Sequence, residues 1–219
     1  TICLVGSEMC IRDRHETGQP LHAFDIASIK GKKVIVQKLA EQTSFTTLDN
    51  VERKLSSEDL MICNAKEGMC IAGVFGGIQS GVDNNTTDIF LESAYFNPVY
   101  IRKTAKRHAL NTDASFRFER SVDPNLVIYA LKRAVVLIQD VAGGNVASEI
   151  SDLYPHPIPN FEITLAYTKI DRLIGEKIDR KIIQSILTNL EIRILESSDA
   201  ELKLSVPPFR ADVRRSEDV

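Results

Sequence analysis

The stretch Gly73-Val74-Phe75-Gly76-Gly77-Ile78-Gln79-Ser80-Gly81 is the feature around which we expect the fold to be organised. Its glycines let the backbone turn and approach other groups without obstruction by side chains. Hairpin patterns precede the stretch and a strand pattern follows it, so the glycines connect strands and do not open a helix. The stretch therefore lacks the GxGxxG arrangement, followed by a helix, that binds dinucleotides.

Segments on both sides of the glycine stretch alternate between apolar and polar residues, as β-strands do. Asp49-Asn50 is a polar turn typical of a hairpin. Cys63 and Cys70 are placed symmetrically about a second turn, so they could face each other; two reduced, half-buried thiols are favoured over a disulfide. The predicted strands are Lys33–Leu39, Ser44–Leu48, Val51–Leu55, Leu60–Asn64, Met69–Val74 and Asp88–Tyr95.

Two helices are predicted after these strands. Asn97 followed by Pro98 is a helix start, and this basic helix runs to about His108. Asp123-Pro124 repeats the signal, and Gly143-Gly144 ends the second helix. Its apolar face is predicted from Val127, Ala130, Leu131, Ala134, Val135, Ile138 and Val141.

The proline-rich segment Tyr154-Pro155-His156-Pro157-Ile158-Pro159 marks a domain boundary, because prolines keep the backbone extended. Beyond it, the pattern predicts a strand at Ile163–Ala166, helices capped by Thr168 and Asp179, and a final hairpin. That order is winged-helix-like. The predicted division is a non-native leader at residues 1–14, a domain at 15–153, a linker at 154–160 and a C-terminally truncated domain at 161–219.

The predicted fold class is α+β, with a mixed domain of hairpins and helices followed by the small winged-helix-like domain. Of 219 residues, 43% are hydrophobic and 26% are charged, which is ordinary for a globular chain. No apolar run approaches the roughly 20 residues of a membrane helix. A net charge of -3 argues against a dedicated nucleic-acid binder, so RNA contact would need a local patch or parts outside this chain.

Catalytic signatures with a local spacing are missing: there is no GxSxG, HExxH, Walker loop or CxxC in the sequence. Three segments, taken in order and spacing, instead resemble the editing module of bacterial-type phenylalanine–tRNA ligase β subunits. A fourth region, residues 164–218, resembles the small domain that follows this module. The three segments are Gly18-Gln19-Pro20-Leu21-His22-Ala23-Phe24-Asp25, residues 73–81 with Leu91-Glu92-Ser93-Ala94, and residues 107–115 continuing to 124.

The resemblance implies an activity and assigns roles to matching residues. In that family the β module hydrolyses tyrosine wrongly attached to the phenylalanine tRNA. By the resemblance, His22 lies beside the scissile ester and Glu92 recognises the tyrosine hydroxyl. Catalytic positions are thus expected at His22 and Thr112, and substrate-binding positions at Glu92, Gly73, Gly76 and Ala114.

Physical chemistry agrees with a carboxylate in that role. An apolar pocket rejects an analogue that only adds a hydroxyl by roughly a hundredfold at best, whereas a site that hydrogen-bonds the hydroxyl discriminates by about 10⁴ or more. Glu92 lies between Leu91 and Ala94 on a predicted strand and supplies such an acceptor. Water attack is expected, because no serine or cysteine nucleophile is evident and the ester is already activated.

The resemblance also implies partners that lie outside this chain. The family pairs with an α subunit, in a heterotetramer that charges tRNA using ATP in the cytoplasm, without a membrane. Asp212 and Asp218 match two ligands of a Mg²⁺ ion shared with the α subunit, and two further glutamates are expected beyond residue 219. Two exposed aspartates do not hold Mg²⁺ tightly alone.

Plainer interpretations of these residues stay open. His22 is also compatible with a capping or core histidine, Glu92 with a surface glutamate, and Thr112 with a helix N-cap. Arg117, Glu119 and Arg120 are interpreted as a structural ion-pair network. The alternative function is a non-catalytic structural module that binds tRNA or a partner. A free-standing nucleic-acid binder is disfavoured, because the second domain lacks a basic recognition helix.

Overall fold

The computed structural model describes residues 15–219, and the predicted leader at residues 1–14 lies outside them. The chain divides into two compact units, the first ending at Asp152 and the second running from Leu153 to Val219. Both units combine helices with small antiparallel sheets, which confirms the predicted α+β class.

The first unit contains eight strands among its described residues, and they form three small sheets. Their order is β2-β5-β6-β7 in a four-stranded sheet, with β1-β8 and β3-β4 as separate antiparallel pairs. The bounds are β1 Leu21–Asp25, β2 Ile35–Lys38, β3 Ser44–Thr46, β4 Glu52–Lys54, β5 Leu60–Cys63, β6 Gly68–Ile71, β7 Phe75–Gly76 and β8 Ile89–Ser93.

The predicted hairpins are present, but the two cysteines do not face each other. Cys63 is opposite Gly68 and Cys70 is opposite Ile62, because the register shifts at Ile62 and Cys63. Both thiols are free and fully buried, not half-buried. The predicted symmetry about the turn was therefore wrong, because an irregularity in the ladder moves one strand past the other.

Among the described residues of the first unit, three α-helices follow the strands: α1 Pro98–Arg107, α2 Asp113–Phe118 and α3 Val127–Ala142. Asn97 caps α1 as predicted, with its side chain accepting a hydrogen bond from the Val99 amide. Asp123 does not cap α3. Its carboxylate accepts from the Asn125 amide in a turn, and the helix begins after Leu126.

The face that α3 buries is narrower than its apolar pattern predicts. Ala130, Ala134 and Leu137 are buried, whereas Val141 is 62% exposed. The main core of the unit lies elsewhere, between the sheets and α1 and α2, and includes Phe24, Leu55, Met61, Ile71, Ile101 and Phe118.

The second unit is a three-stranded antiparallel sheet with two helices. Its elements are β9 Phe161–Ala166, α4 Tyr167–Ile174, α5 Arg180–Asn189, β10 Arg193–Ser197 and β11 Glu201–Val206, and β11 lies between β9 and β10. The Asp179 cap is present, with the carboxylate accepting from the Lys181 amide.

Thr168 does not cap the first helix of this unit. Helix α4 starts at Tyr167 directly from β9, because Tyr167 is buried and its amide bonds the Ala200 carbonyl. Within residues 15–219, the chain contains no helix that is both long and apolar enough to cross a membrane.

Candidate functional site

Strands β1 and β8 place His22 and Glu92 directly opposite each other in an antiparallel pair. Side chains of directly opposed residues project from the same face, with Cβ atoms about 5 Å apart. Strand β1 is also tied to the glycine stretch, since the Asp25 amide donates to the Ser80 carbonyl at 3.2 Å. The pairing thus joins two distant segments of the sequence beside the glycines.

The His22 imidazole is packed against the protein without a hydrogen-bond partner. Its ring contacts Phe24 edge-on, with 4.4 Å between ring centroids. The Nε2 atom is buried, and nothing in residues 15–219 hydrogen-bonds it. Burial lowers the pKa of His22 to about 4, so the ring is neutral at neutral pH. A neutral imidazole offers one donor and one acceptor nitrogen.

Gly76 brings the backbone of the glycine stretch against this imidazole. A Cβ atom added at Gly76 would lie 3.0 Å from His22 Cε1 and 2.9 Å from Leu48 Cδ1. Contacts this short would force the Leu48 side chain and the imidazole to move away from an added Cβ. The absence of a Cβ at residue 76 is therefore what allows the β7 backbone to approach His22.

Glu92 is the acidic group of the site. Burial raises the pKa of its carboxyl to about 7, because the charged form loses solvation. The side chain makes no hydrogen bond or ion pair within the described part of the chain. An unpaired carboxyl in this setting favours a ligand that supplies a hydrogen-bond donor.

Cys70 belongs to the same surroundings. Burial raises its pKa well above the usual thiol value, and the negative charge of Glu92 adds to the rise. Cys70 is paired with Gly76 across β6 and β7, and its thiol contacts the Phe75 carbonyl at 3.4 Å. A raised pKa disfavours the reactive thiolate form of this cysteine.

Gly73, Thr112 and Ala114 lie on the side of the glycine stretch that faces the core. Gly73 has a φ of +67°, and a Cβ there would lie 2.8 Å from Phe96 and 2.9 Å from Ile101. Ala114 packs against the core cluster. The structure therefore brings together His22, Gly76 and Glu92, whereas Gly73 contacts the hydrophobic core.

The Thr112 hydroxyl is engaged in two structural contacts. It donates to the Val74 carbonyl at 2.7 Å and accepts from the Ser115 amide at 3.1 Å, as the N-cap of α2. Thr112 thus fixes the glycine stretch to the start of α2, on the side that faces the hydrophobic core. The N-cap interpretation is confirmed, and the catalytic role of Thr112 stays a prediction.

Two residues beside the site were missed from the sequence, Leu48 and Cys70. Leu48 follows β3 near the tip of a hairpin. Apolar residues beside a turn commonly have no role in binding, so the sequence offered no reason to select it. Cys70 was considered only for its relation to Cys63. The register of β6 against β7 would have identified Cys70, but a two-residue strand leaves no periodic signal.

A buried ion cluster holds α1 in place away from the site. The Asp59 carboxylate is fully buried and accepts from the Ser56 amide at 2.8 Å, the Thr104 hydroxyl at 2.9 Å, and Arg107. His108 Nε2 lies 2.6 Å from its second oxygen. Although burial alone would raise the pKa of Asp59, hydrogen bonds from His108, Ser56 and Thr104 outweigh it, and the pKa is lowered.

A cleft of about 320 Å³ occurs near the C-terminal end of α2, and His22 and Glu92 do not line it. Arg120 there forms an ion pair with Glu119 and lies over the Phe116 ring at 3.6 Å. The predicted network is confirmed for Glu119 and Arg120, whereas Arg117 lines the cleft.

The two aspartates predicted as Mg²⁺ ligands do not make a metal site by themselves. The Asp218 carboxylate accepts from the backbone amides of Arg214 and Arg215 at 3.1 and 2.9 Å. Within residues 15–219, no three His, Cys, Asp or Glu side chains are grouped so as to hold a metal ion. Two carboxylates are too few to complete the near-octahedral oxygen coordination of Mg²⁺.

Comparison with protein families matches two domains in this order. Residues 14–143 match the B3/4 domain, and residues 163–219 match the tRNA synthetase B5 domain. The B3/4 match covers more than half of the chain. It includes the His22, Gly76 and Glu92 segments described above.

Similar curated proteins are phenylalanine–tRNA ligase β subunits. The relative from Bacteroides fragilis is 55% identical over 94% of this chain, and that from Bacteroides thetaiotaomicron is 56% identical over 94%. A more distant relative from Syntrophotalea carbinolica is 42% identical over 93%. The chain spans about a quarter of the length of these relatives.

Among solved structures, an N-terminal fragment of the phenylalanyl-tRNA synthetase β subunit from Pyrococcus horikoshii is similar at 14% identity and a TM-score of 0.43. The alignment covers 97% of this chain and 63% of that one. The family assignment is carried by the domain matches, with which the curated relatives agree. The chain belongs to the B3/4 domain family, carries a tRNA synthetase B5 domain after it, and is part of a phenylalanine–tRNA ligase β subunit.

Proposed function

We propose that residues 15–153 form an editing domain that hydrolyses tyrosine mis-attached to the phenylalanine tRNA. The observation that carries this proposal is the direct pairing of His22 with Glu92, beside the bare backbone of Gly76. One site then offers a carboxyl for a phenolic hydroxyl and a neutral imidazole that packs directly against a glycine backbone.

Glu92 supplies the discrimination in this proposal. Tyrosine and phenylalanine differ by one hydroxyl, and the Glu92 side chain is unpaired within the described residues. Tyrosine gives Glu92 a hydrogen-bond partner, whereas phenylalanine leaves it unpaired next to an apolar ring. An unpaired buried polar group costs about 1–3 kcal/mol, more when it is charged, so the site favours tyrosine.

His22 supplies the positioning in this proposal. Its neutral ring orients the attacking water or a ribose hydroxyl at the ester through the unpaired Nε2. Gly76 lets the imidazole lie against the β7 backbone, which fixes the position of the ring. Thr112 acts from behind the glycine stretch, by holding the Val74 carbonyl.

A second candidate function is a non-catalytic module that binds tRNA or a partner. The engaged Thr112 hydroxyl and the core-facing Gly73 favour it, since both serve the fold. Under this alternative the His22–Glu92 pair still exists but does not turn over an ester. Hydrolysis of mischarged tRNA by the chain separates the two.

The remaining assignments concern the complete enzyme. We propose that the α subunit and tRNA are its partners in the cytoplasm, that ATP is used only by the full assembly, and that Asp212 and Asp218 contribute to Mg²⁺ binding only with ligands from outside the described residues. Residues 154–160 then link the editing domain to the winged-helix-like domain at 161–219.

The test compares hydrolysis of tyrosyl-tRNA and phenylalanyl-tRNA by the purified chain. Replacing Glu92 by Ala should lower the ratio of the two kcat/KM values by about tenfold or more, because the hydroxyl loses its partner. A Glu58→Gln variant, altered at a side chain that is 58% exposed, is the control. Equal loss on both substrates would assign Glu92 another role, and no hydrolysis by the unaltered chain would favour the non-catalytic alternative.

A further inference from the structure

The β3–β4 hairpin is fixed to the glycine stretch by hydrogen bonds on both sides of Thr47. The Leu48 amide donates to the Gly76 carbonyl at 3.0 Å, and the Ile78 amide donates to the Thr46 carbonyl at 3.2 Å. Between these bonds, Thr47 and Gly77 form an isolated antiparallel bridge. The hairpin tip therefore has a defined position over Gly76.

The Leu48 side chain borders the same space as His22. Leu48 Cδ1 and His22 Cε1 both lie within 3.0 Å of the point that a Gly76 Cβ would occupy. Leu48 Cδ2 reaches toward Gly81, where an added Cβ would lie 3.3 Å away. An apolar branch thus stands across Gly76 from the imidazole.

Leu48 is 46% exposed, although the tip that carries it is held firmly. The Thr47 hydroxyl lies 2.5 Å from Asp49 and accepts from Arg53 at 3.0 Å. Arg53 also bonds Asp49 at 2.7 Å and the His108 carbonyl at 3.0 Å. An apolar surface that is fixed, exposed and beside the unpaired His22 imidazole is suited to an aromatic ligand.

We propose that Leu48 forms an apolar wall of the His22–Glu92 site, against which the aromatic ring of the aminoacyl group packs. This inference rests on the proposed function and adds to it a binding residue that does not discriminate. Tyrosine and phenylalanine present the same ring to an aliphatic side chain. Leu48 therefore contributes equally to the binding of both aminoacyl groups, whereas Glu92 contributes only to the binding of tyrosine.

The experiment measures binding and hydrolysis with the purified chain. The binding probes are 3′-deoxy-3′-aminoadenosine carrying tyrosine or phenylalanine through an amide, which cannot be hydrolysed as an ester. Leu48→Ala should weaken both probes by about tenfold, the effect of losing a few apolar contacts, with their ratio unchanged. In hydrolysis, KM should rise for both esters while kcat at saturation stays close to that of the parent.

The matched control is Val51→Ala. Val51 is 45% exposed on the same hairpin, and its side chain is not among the nearest contacts of the glycines at 73–81. It should leave both affinities within about twofold. Thermal unfolding of both variants establishes that they are folded.

The outcomes separate the two proposals. If the parent chain binds and hydrolyses tyrosyl substrate, but Leu48→Ala behaves like Val51→Ala, the Leu48 assignment alone is overturned. If Leu48→Ala changes the tyrosine-to-phenylalanine ratio, Leu48 is a specificity residue and the shared-wall inference is wrong. If the parent binds neither probe and hydrolyses neither ester, both the proposed function and this inference fall.

Discussion

At the scale of single residues, burial shifts the pKa values of His22 and Glu92 in opposite directions. Burial holds the pKa of His22 near 4, below its ordinary value of 6.5, and that of Glu92 near 7, above 4.5. Both groups are therefore largely neutral slightly below neutral pH. A site with neutral members tolerates apolar surroundings that would otherwise expel a charge.

The raised Glu92 pKa predicts how stability depends on pH. Below pH 4.5 Glu92 is protonated in both the folded and the unfolded state, so it does not lower the free energy of unfolding. Between 4.5 and 7 the unfolded state deprotonates first, so stability falls with rising pH by up to about 3 kcal/mol. His22 acts in the other direction, because its contribution is present above 6.5 and is lost as pH falls toward 4.

Glu92→Gln removes the first effect only. The difference in unfolding free energy between Glu92→Gln and the parent should grow in favour of the variant as pH rises from 4.5 to 7, then stay constant. Denaturant titrations at several pH values measure it, with Glu58→Gln as the control for the loss of a carboxylate. A difference that is flat across this range would show that Glu92 is solvated in the folded chain.

The sequence predicted the role of an individual residue correctly where that role depends only on its neighbours in the chain. The Asn97 cap and its following proline lie within one helical turn, so the chain around them decides the outcome. Thr168 looked equally suitable, but burial of Tyr167 starts α4 two residues earlier than a Thr168 cap would, and Ala166 is the cap. The cap there was decided by tertiary packing, which a local pattern does not contain.

At the scale of secondary-structure elements, α1 is anchored by the Asp59 cluster at its last turn. Thr104, Arg107 and His108 all reach one carboxylate that lies at the start of β5. A buried carboxylate with several donors is stable only while its partners remain, because removing one side leaves a buried group unpaired.

Asp59→Ala should therefore destabilise the first unit by about 3 kcal/mol, the cost of breaking a buried ion pair. Thr104→Val removes one hydrogen bond and should cost only about 1 kcal/mol. Denaturant unfolding gives both values, and amide exchange of α1 reports the local effect. An Asp88→Asn variant, at an exposed position, serves as control. Equal stability of Asp59→Ala and the parent would contradict the anchoring role.

The positions of the strands were predicted better than the way in which the strands pair. The hairpins follow from alternation and turn residues, and their strands are present with shorter bounds. The register of β5 against β6 was not predictable, since one irregularity displaces Cys70 from Cys63. The family resemblance assigned His22 and Glu92 to one site, but the pairing of β1 with β8 was not predicted, because no sequence period connects strands so far apart.

At the scale of the whole molecule, the chain consists of two units, and each contains different candidate site residues. The described residues of the first unit contain the His22–Glu92 pair, and the second contains Asp212 and Asp218 without further metal ligands among the described residues. The net charge of -3 also predicts weak tRNA binding, because phosphate contacts supply much of the affinity for nucleic acids.

We accordingly expect this chain not to aminoacylate tRNA, even with ATP, phenylalanine and Mg²⁺ supplied. The sequence has no Walker loop or Rossmann fingerprint, and we have proposed that only the full assembly uses ATP. ATP–pyrophosphate exchange measures this directly. Hydrolysis of mischarged tRNA by the same preparation, falling as salt rises, is the positive control. Exchange above background would require an adenylation site in these residues.

The pairing of β1 with β8 also bears on when the site exists during the life of the protein. His22 and Glu92 are separated by about 70 positions, so a ribosome must synthesise the whole segment between them before the second partner emerges. Closing so long a loop costs entropy before any contact is gained. A nascent chain therefore has no competent site until β8 has docked, and binding of the aminoacyl probe to stalled chains would report that moment.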